Sequence, residues 1–119
     1  MQSKAMLEAI VEAIFNKKGL NVLALDVKHL TPMSDYVVLA EGTVDRHIEA
    51  IKNGIIDELR KHKEKPLYVE GDGKSGWIIV DFVDVVVHLL LRDVRELYKI
   101  EQLYKDAHIV DVYEEVENG

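Results

Sequence analysis

Carboxylates are the side chains of this sequence that could best support metal-dependent chemistry. A nucleotidyltransferase-like site holds its metal ion between two carboxylates on one face of a strand, and side chains share a face only at a spacing of two. Asp81 and Asp84 are three residues apart, and Asp26 stands alone on its predicted strand. The sequence therefore lacks the carboxylate pair, and we expect neither a metal ion nor another cofactor.

A glycine pattern matches the spacing of a dinucleotide-binding loop. In that motif the glycines follow a strand and lead into a helix, whose first amides bind the pyrophosphate. Here Gly71-x-Gly73-x-x-Gly76 is followed by a run typical of a strand, from Trp77 onwards. We therefore predict a hairpin loop whose glycines adopt positive φ, rather than a nucleotide site.

The segment 42–46, Gly-Thr-Val-Asp-Arg, lies at a predicted strand-to-helix junction. Amides at such a junction can bind anions. Helix capping explains the same residues more simply, with Thr43 as N-cap and Asp45 in the first turn, where the helix dipole favours a negative charge. We favour capping.

No nucleophile or proton-transfer group is recognisable by its spacing. The five histidines show no pair at metal-ligand spacing, cysteine is absent, and none of the three serines lies in a G-x-S-x-G motif. His88 lies between Val85-Val86-Val87 and Leu89-Leu90-Leu91. This setting indicates a neutral core histidine with a hydrogen-bond partner. Catalysis has no positive support.

Composition restricts the class of partner. The 119 residues include 22 acidic and 15 basic side chains, for a net charge of −7, and five of the acids lie in residues 106–119. DNA and bare RNA are unlikely partners because neutralising phosphates needs clustered Lys and Arg. The chain has no apolar run long enough to span a membrane and no leader-like N-terminus. These features predict a cytoplasmic protein that does not bind membranes.

The hydrophobic periodicity predicts one mixed α/β domain. A single sheet of about five strands is flanked by helices, and residues 106–119 form an acidic tail after a domain of residues 1–105. The predicted helices are 4–17, 44–62 and a short stretch within 92–104, and the predicted strands are 22–27, 36–40, 67–70, 77–82 and 85–91.

The fourth predicted strand carries the best candidate for a binding surface. Trp77, Ile79 and Asp81 alternate onto one face, and the apolar residues between and after them occupy the other. A tryptophan beside acidic groups is either a core anchor or the centre of an interface with an acidic rim. The sequence alone leaves both interpretations open.

Six groups of residues resemble the Iojap-like family of ribosomal silencing factors. The most specific is the pattern W-x-x-x-D-x-x-D-V-V-V-H, which runs from Trp77 to His88. The resemblance extends from about residue 7 to residue 105. Its other elements are Leu25-Asp26, Ser34-Asp35-Tyr36, Gly42-Thr43-x-x-Arg46-His47, Val69-Glu70-Gly71 and Arg95-x-x-Tyr98-x-x-Glu101-x-Leu103-Tyr104.

The resemblance implies a nucleotidyltransferase-like fold without catalytic metal residues. It also implies binding to the large ribosomal subunit through ribosomal protein fourteen, obstruction of small-subunit joining, and a homodimer when free. On this basis we expect Glu70, Asp81 and Asp84 to face the partner, with Trp77 and Tyr98 as apolar anchors.

Two alternatives and two departures from the family pattern accompany the resemblance. The family usually has glycine between the two aspartates, where this chain has Val83, and it often ends in Leu-Trp, where this chain has Leu103-Tyr104. One alternative function is a small metal-dependent nucleotidyltransferase that uses Thr43, Asp45 and Asp81. The other is an assembly factor for the large subunit that has no effect on joining.

Overall fold

The computed structural model describes residues 1–113 and builds one sheet with helices on both faces. Within this range, no helix combines the length and apolar character needed to cross a membrane. The elements in chain order are α1 (Ser3–Asn16), β1 (Leu20–Asp26), β2 (Tyr36–Gly42), α2 (Asp45–Lys61), β3 (Tyr68–Asp72), β4 (Trp77–Asp81), β5 (Val85–Leu91), α3 (Arg92–Tyr98), a 3-10 helix (Ile100–Tyr104) and β6 (His108–Val110).

The strand order across the sheet is β3-β4-β5-β2-β1-β6. The central strands β2 and β5 pair in parallel, and all the other neighbours are antiparallel. A parallel pair cannot be joined by a tight turn, and here α2 and the β3–β4 hairpin supply the long connection. The predicted mixed α/β domain is confirmed.

The sheet has six strands, so the predicted number of about five is wrong. The additional strand, β6, pairs antiparallel with β1, with Ile109 opposite Leu25. It lies in the segment 106–119, predicted to be an acidic tail, and three residues are too few for an alternating pattern to be read. Residues 114–119 of that segment lie outside the described residues, and the division of the chain at residue 105 stays a prediction.

The main core lies between the sheet and the helices α1 and α2. The apolar stripe of α2 faces this core, where Ile48, Ile51, Ile55 and Leu59 are completely buried. A smaller core on the opposite face includes Leu39, Leu90 and Ile100, the last contributed by the 3-10 helix. The two faces of the sheet are therefore covered unequally, which matters for the surface described below.

The junction between β2 and α2 allows α2 to pack closely against the end of β2. The N-cap residue is Val44 and makes no side-chain cap, so the N-cap predicted at Thr43 is wrong; Asp45 does lie in the first turn. The amide of Thr43 instead donates to Nδ1 of His47 over 2.9 Å. At Gly42, an added Cβ would lie 2.7 Å from Cγ2 of Ile48, so glycine permits the close approach of α2.

The glycine pattern of residues 71–76 forms the hairpin loop between β3 and β4, as predicted. Gly71 and Gly76 have φ values of 81° and 76°. An added Cβ at Gly71 would lie 2.0 Å from the carbonyl oxygen of Trp77. The amide of Gly73 donates to Oε1 of Glu49 on α2 over 2.8 Å, which fixes the loop against the helix layer.

Candidate interaction surface

One half of the sheet is left partly uncovered on the face opposite α1 and α2. Along β4, Ile78 and Val80 are completely buried under these helices, whereas Trp77, Ile79 and Asp81 on the other face are half-buried. The α3 and 3-10 segment covers the second face mainly over β1, β2 and β5. The alternation predicted for this strand is confirmed, and its second face is open at β3 and β4.

Trp77 lies in an open groove on this face. The groove has a volume of about 420 Å³ and is lined by Glu70 of β3, Ile79 of β4 and Val94 and Tyr98 of α3. The rings of Trp77 and Tyr98 are tilted by 42° with their centroids 5.3 Å apart, within the range of favourable aromatic contact. Three of the predicted partner-binding residues, Glu70, Trp77 and Tyr98, therefore meet in one groove.

His88 lies beneath the tryptophan and is only 8% exposed. The indole Nε1 of Trp77 donates a hydrogen bond to Nδ1 of His88 over 3.1 Å. Burial lowers the pKa of His88 from 6.5 to about 4, because a charged imidazole would lose its hydration here. The prediction of a neutral core histidine with a hydrogen-bond partner is confirmed, and the partner is Trp77.

Asp81 ends β4 on the same face as Trp77. Its Oδ1 accepts the backbone N–H of Val83 over 2.7 Å, which draws the following turn tight. Tyr68, directly opposite on β3, donates its hydroxyl to Asp81, and this hydrogen bond raises the pKa of the phenol. Asp81 therefore both shapes a turn and presents a half-buried negative charge beside an exposed aromatic ring.

Asp84 lies beyond the groove, in the turn that leads into β5. Its side chain is exposed, and its carbonyl oxygen accepts the amide of Asp35 over 2.8 Å. The hydroxyl of Ser34 donates to the carbonyl oxygen of Val83 over 2.8 Å. These contacts hold the β1–β2 loop against the β4–β5 turn, and Asp84 is not among the residues that line the groove.

The α3 and 3-10 segment docks through part of its apolar surface. Ile100 is buried and Tyr104 packs against the smaller core. Leu97, Tyr98 and Leu103 remain 73%, 59% and 77% exposed, respectively. The sequence predicts a short helical stretch here, but its periodicity does not show that three large apolar residues stay outside the core.

A buried ion pair fixes that segment to the sheet. Arg95 of α3 donates from Nη1 to Oε2 of Glu41 over 2.9 Å and to the carbonyl oxygen of Asn21 over 2.8 Å. Its Nε donates to Glu101. Glu41 could not be identified from the sequence, because an acid beside an apolar strand and an arginine 54 residues later show no periodic relationship.

The surface also includes Tyr68 and Val94, which the sequence analysis did not select. Tyr68 is 43% exposed on β3 and lies two residues before Glu70, so both side chains share the face of the groove. The same spacing of two that groups Trp77 with Asp81 could have identified Tyr68. Val94 offers no comparable signal, because its position depends on how α3 docks.

The alternative enzymatic site is not assembled. Thr43 and Asp45 follow the end of β2 at Gly42, which pairs with Leu91 of β5, whereas Asp81 pairs with Val86. Five residues along an extended strand correspond to about 16 Å. Moreover, no group of three or more histidine, aspartate or glutamate side chains in residues 1–113 is arranged to hold a metal ion.

The fold and the surface define a class: a small α/β domain with one partly bare sheet face, on which apolar and acidic side chains stand together. The family described as "Ribosomal silencing factor during starvation" (RsfS) matches residues 1–118. The chain belongs to this family, which confirms the resemblance found in the sequence.

Individual relatives agree with the family match. The ribosomal silencing factor RsfS of Bacillus subtilis is 31% identical over 112 residues, which cover 94% of this chain and 95% of that protein. A crystal structure of a protein from Chromobacterium violaceum superposes with a TM-score of 0.85 at 30% identity, covering 88% of each chain. A mouse protein named "Mitochondrial assembly of ribosomal large subunit protein 1" is 26% identical, covering 86% of this chain and 46% of that protein.

Proposed function

We propose that the protein is a ribosomal silencing factor that binds the large ribosomal subunit through ribosomal protein fourteen and blocks joining of the small subunit. Translation is then repressed by occlusion, without chemistry. The observation that carries the proposal is the groove in which Trp77 and Tyr98 stand half-exposed beside Glu70 on the open sheet face. We assign partner contact to Glu70, Trp77, Asp81, Asp84 and Tyr98.

The composition of the surface supports a protein partner. Tryptophan and tyrosine are enriched among the residues that dominate protein interfaces, because they bury a large area with few rotatable bonds. Here an aromatic pair lies among apolar neighbours, and the acids stand towards the edges. This arrangement corresponds to the apolar centre and polar rim of a typical interface.

The sign of the charge supports a basic partner. Glu70 provides negative charge in the groove, Asp81 provides it on the same sheet face and Asp84 beyond the groove, and the whole chain has a net charge of −7. A ribosomal protein rich in Lys and Arg would be attracted to such a surface, whereas bare rRNA would be repelled. We therefore place the contact on a ribosomal protein.

Occlusion requires only differential affinity. A factor that binds the free large subunit at the surface used by the small subunit competes directly with joining, and it shifts the equilibrium by its preference for the free subunit. The geometry supports this non-enzymatic role, since the residues of the alternative metal site lie at opposite ends of the sheet. We propose no cofactor and no enzymatic activity.

A role in large-subunit assembly is the second candidate. The name of the mouse relative refers to assembly of the mitochondrial large subunit, and its matched region spans most of this chain. An assembly factor would bind the same subunit without preventing joining. The main proposal also includes a cytoplasmic location, a homodimer in the free state and a nucleotidyltransferase-like fold.

Co-sedimentation tests the proposed partner. The purified protein is centrifuged at physiological salt with isolated large subunits, isolated small subunits or joined ribosomes. The proposal expects the protein to pellet with large subunits and not with the other two. Absence from the large-subunit pellet would overturn it, and equal recovery with joined ribosomes would contradict occlusion.

A further inference from the structure

The chain contains a single tryptophan, and its indole N–H is bonded to a buried side chain. Trp77 of β4 is directly opposite Leu90 of β5, so His88, two residues before Leu90, is its diagonal neighbour on the same face. Diagonal neighbours in a sheet are within reach of long and aromatic side chains. The 3.1 Å contact between Nε1 of Trp77 and Nδ1 of His88 uses this geometry.

His88 can accept this hydrogen bond only in one form. A neutral imidazole with its proton on Nε2 leaves the lone pair of Nδ1 free to accept, whereas the charged ring has donors at both nitrogens. Burial keeps the ring neutral at physiological pH. The strand environment therefore presents a fixed acceptor directly to the indole.

We propose that His88 is a positioning residue: it holds the Trp77 indole in its binding orientation before the partner arrives. The inference rests on the proposed function, in which Trp77 is an apolar anchor. His88 is too buried to contact a partner itself and acts through the tryptophan. Tyr98 supports the ring from the α3 side, with its centroid 5.3 Å from that of Trp77.

The benefit of this arrangement is entropic. A half-exposed indole without a fixed hydrogen bond samples several rotamers, and binding must then select one of them. An indole already held by His88 loses less freedom on binding. Removing the acceptor should therefore weaken binding by about tenfold, the usual effect of one hydrogen bond.

Nuclear magnetic resonance tests the first half of the inference without any ribosome. Because there is one tryptophan, the ¹⁵N-labelled full chain gives one indole N–H signal. His88→Leu should shift this signal and speed its exchange with solvent by about tenfold, since the acceptor is gone. His88→Asn should restore it, because the asparagine Oδ1 can take the place of Nδ1. An unchanged indole signal in His88→Leu would overturn the inference.

A variant that leaves the histidine in place guards against misfolding. Trp77→Phe removes the donor, so the ¹⁵N resonance of His88 Nδ1 should move towards that of a nitrogen without a hydrogen bond. No movement of that resonance would also overturn the inference. This measurement shows whether the hydrogen bond is present even if His88→Leu does not fold.

A double-mutant cycle tests the second half. His88→Leu should weaken large-subunit binding by about tenfold in the wild-type background and have little effect in the Trp77→Phe background, because its action requires the indole N–H. Equal losses in both backgrounds would show a merely structural role and contradict positioning. If the wild-type chain fails to bind large subunits, the proposed function is overturned, and so is the claim that His88 improves binding. The indole N–H signal tests the hydrogen bond between Trp77 and His88 independently of that result.

Discussion

Arg95 and Glu41 form a buried ion pair that joins the segment after the sheet to the second strand. Nη1 of Arg95 lies 2.9 Å from Oε2 of Glu41, and both side chains are about one-tenth exposed. Asn21 adds a hydrogen bond to Oε1 of the same carboxylate over 3.0 Å. This network fixes α3, and through it Tyr98, against the sheet face that carries Trp77.

Removing the arginine should destabilise the fold strongly. Arg95→Met leaves Glu41 buried without its cation, and breaking a buried pair in this way typically lowers the free energy of unfolding by about 3–5 kcal/mol. Arg92→Met on the same helix is the matched control, because the Arg92 side chain is 79% exposed and its pair with Glu96 contributes little. Urea unfolding followed by circular dichroism measures both. A loss for Arg95→Met no larger than for Arg92→Met would show that Glu41 does not depend on this partner.

Val83 has a backbone conformation that is unfavourable for a β-branched side chain. Its φ is 74°, in the left-handed region that a β-branched residue rarely occupies, and Asp81 stabilises this turn by accepting its amide. Val83→Gly should raise the free energy of unfolding by about 1 kcal/mol, because glycine has no Cβ to clash. Thermal unfolding measures the change.

An exposed valine in a regular strand provides the comparison. Val69→Gly in β3 removes a side chain without relieving strain and should lower stability by about 0.5–1 kcal/mol. A decrease for Val83→Gly similar to that for Val69→Gly would contradict strain at Val83.

The free energy of unfolding should fall as the pH is lowered, because His88 takes up a proton more readily in the unfolded state. Its folded pKa of about 4 lies below the ordinary 6.5, so the unfolded state takes up the proton first. The stabilising effect of the neutral ring is fully present above pH 6.5 and declines as the pH falls towards 4. From about pH 7 to about pH 5 the expected loss is about 2 kcal/mol.

Comparing the wild type with a His88 variant separates the contribution of His88 to the pH dependence from that of the other titrating groups. Urea unfolding at several pH values is measured for the wild type and for His88→Leu, which cannot titrate at this position. From about pH 7 to about pH 5, the free energy of unfolding of the wild type should fall by about 2 kcal/mol relative to that of His88→Leu. Parallel pH profiles for the two proteins would contradict a neutral, buried His88.

Substitutions on the open face should weaken ribosome binding and leave the fold intact. Trp77→Ala removes the aromatic anchor and Asp81→Lys reverses a charge at the rim, so each should reduce large-subunit affinity by about tenfold or more. Asp57→Lys on α2 reverses an exposed charge in the other layer and should have little effect. Sedimentation gives the affinities and circular dichroism the fold. If Trp77→Ala unfolds the chain, Trp77 belongs to the core rather than to the surface. Asp81→Lys also removes the acceptor of the Val83 amide, so we expect a modest loss of stability for it, and its affinity is compared only where circular dichroism shows a folded chain.

The local features of the surface could be predicted from sequence, whereas its long-range contacts could not. The spacing of two along β4 separates Trp77 and Asp81 from Ile78 and Val80, and the structure confirms this separation. A helix after Gly42 and a hairpin at the glycines of residues 71–76 likewise depend on neighbouring residues. Period and turn chemistry are local properties, so they remain visible in the chain.

What sequence reasoning missed depends on tertiary contacts. Glu41 carries no local signal of burial, yet Arg95 brings it into a buried network. The short strand β6 forms because β1 offers a free edge, and its three residues carry no pattern of their own. The partner of His88 was predicted to exist but could not be identified, since a diagonal neighbour is known only once the strand register is fixed.

A subunit-joining assay tests directly whether the protein blocks joining of the small subunit. Purified large subunits are incubated with the protein, small subunits are added, and formation of joined ribosomes is followed by light scattering. We expect the wild-type protein to inhibit joining in proportion to its occupancy of large subunits and Asp81→Lys to inhibit much less at the same concentration. Binding of the wild-type protein to large subunits with undiminished joining would contradict silencing and favour the assembly role.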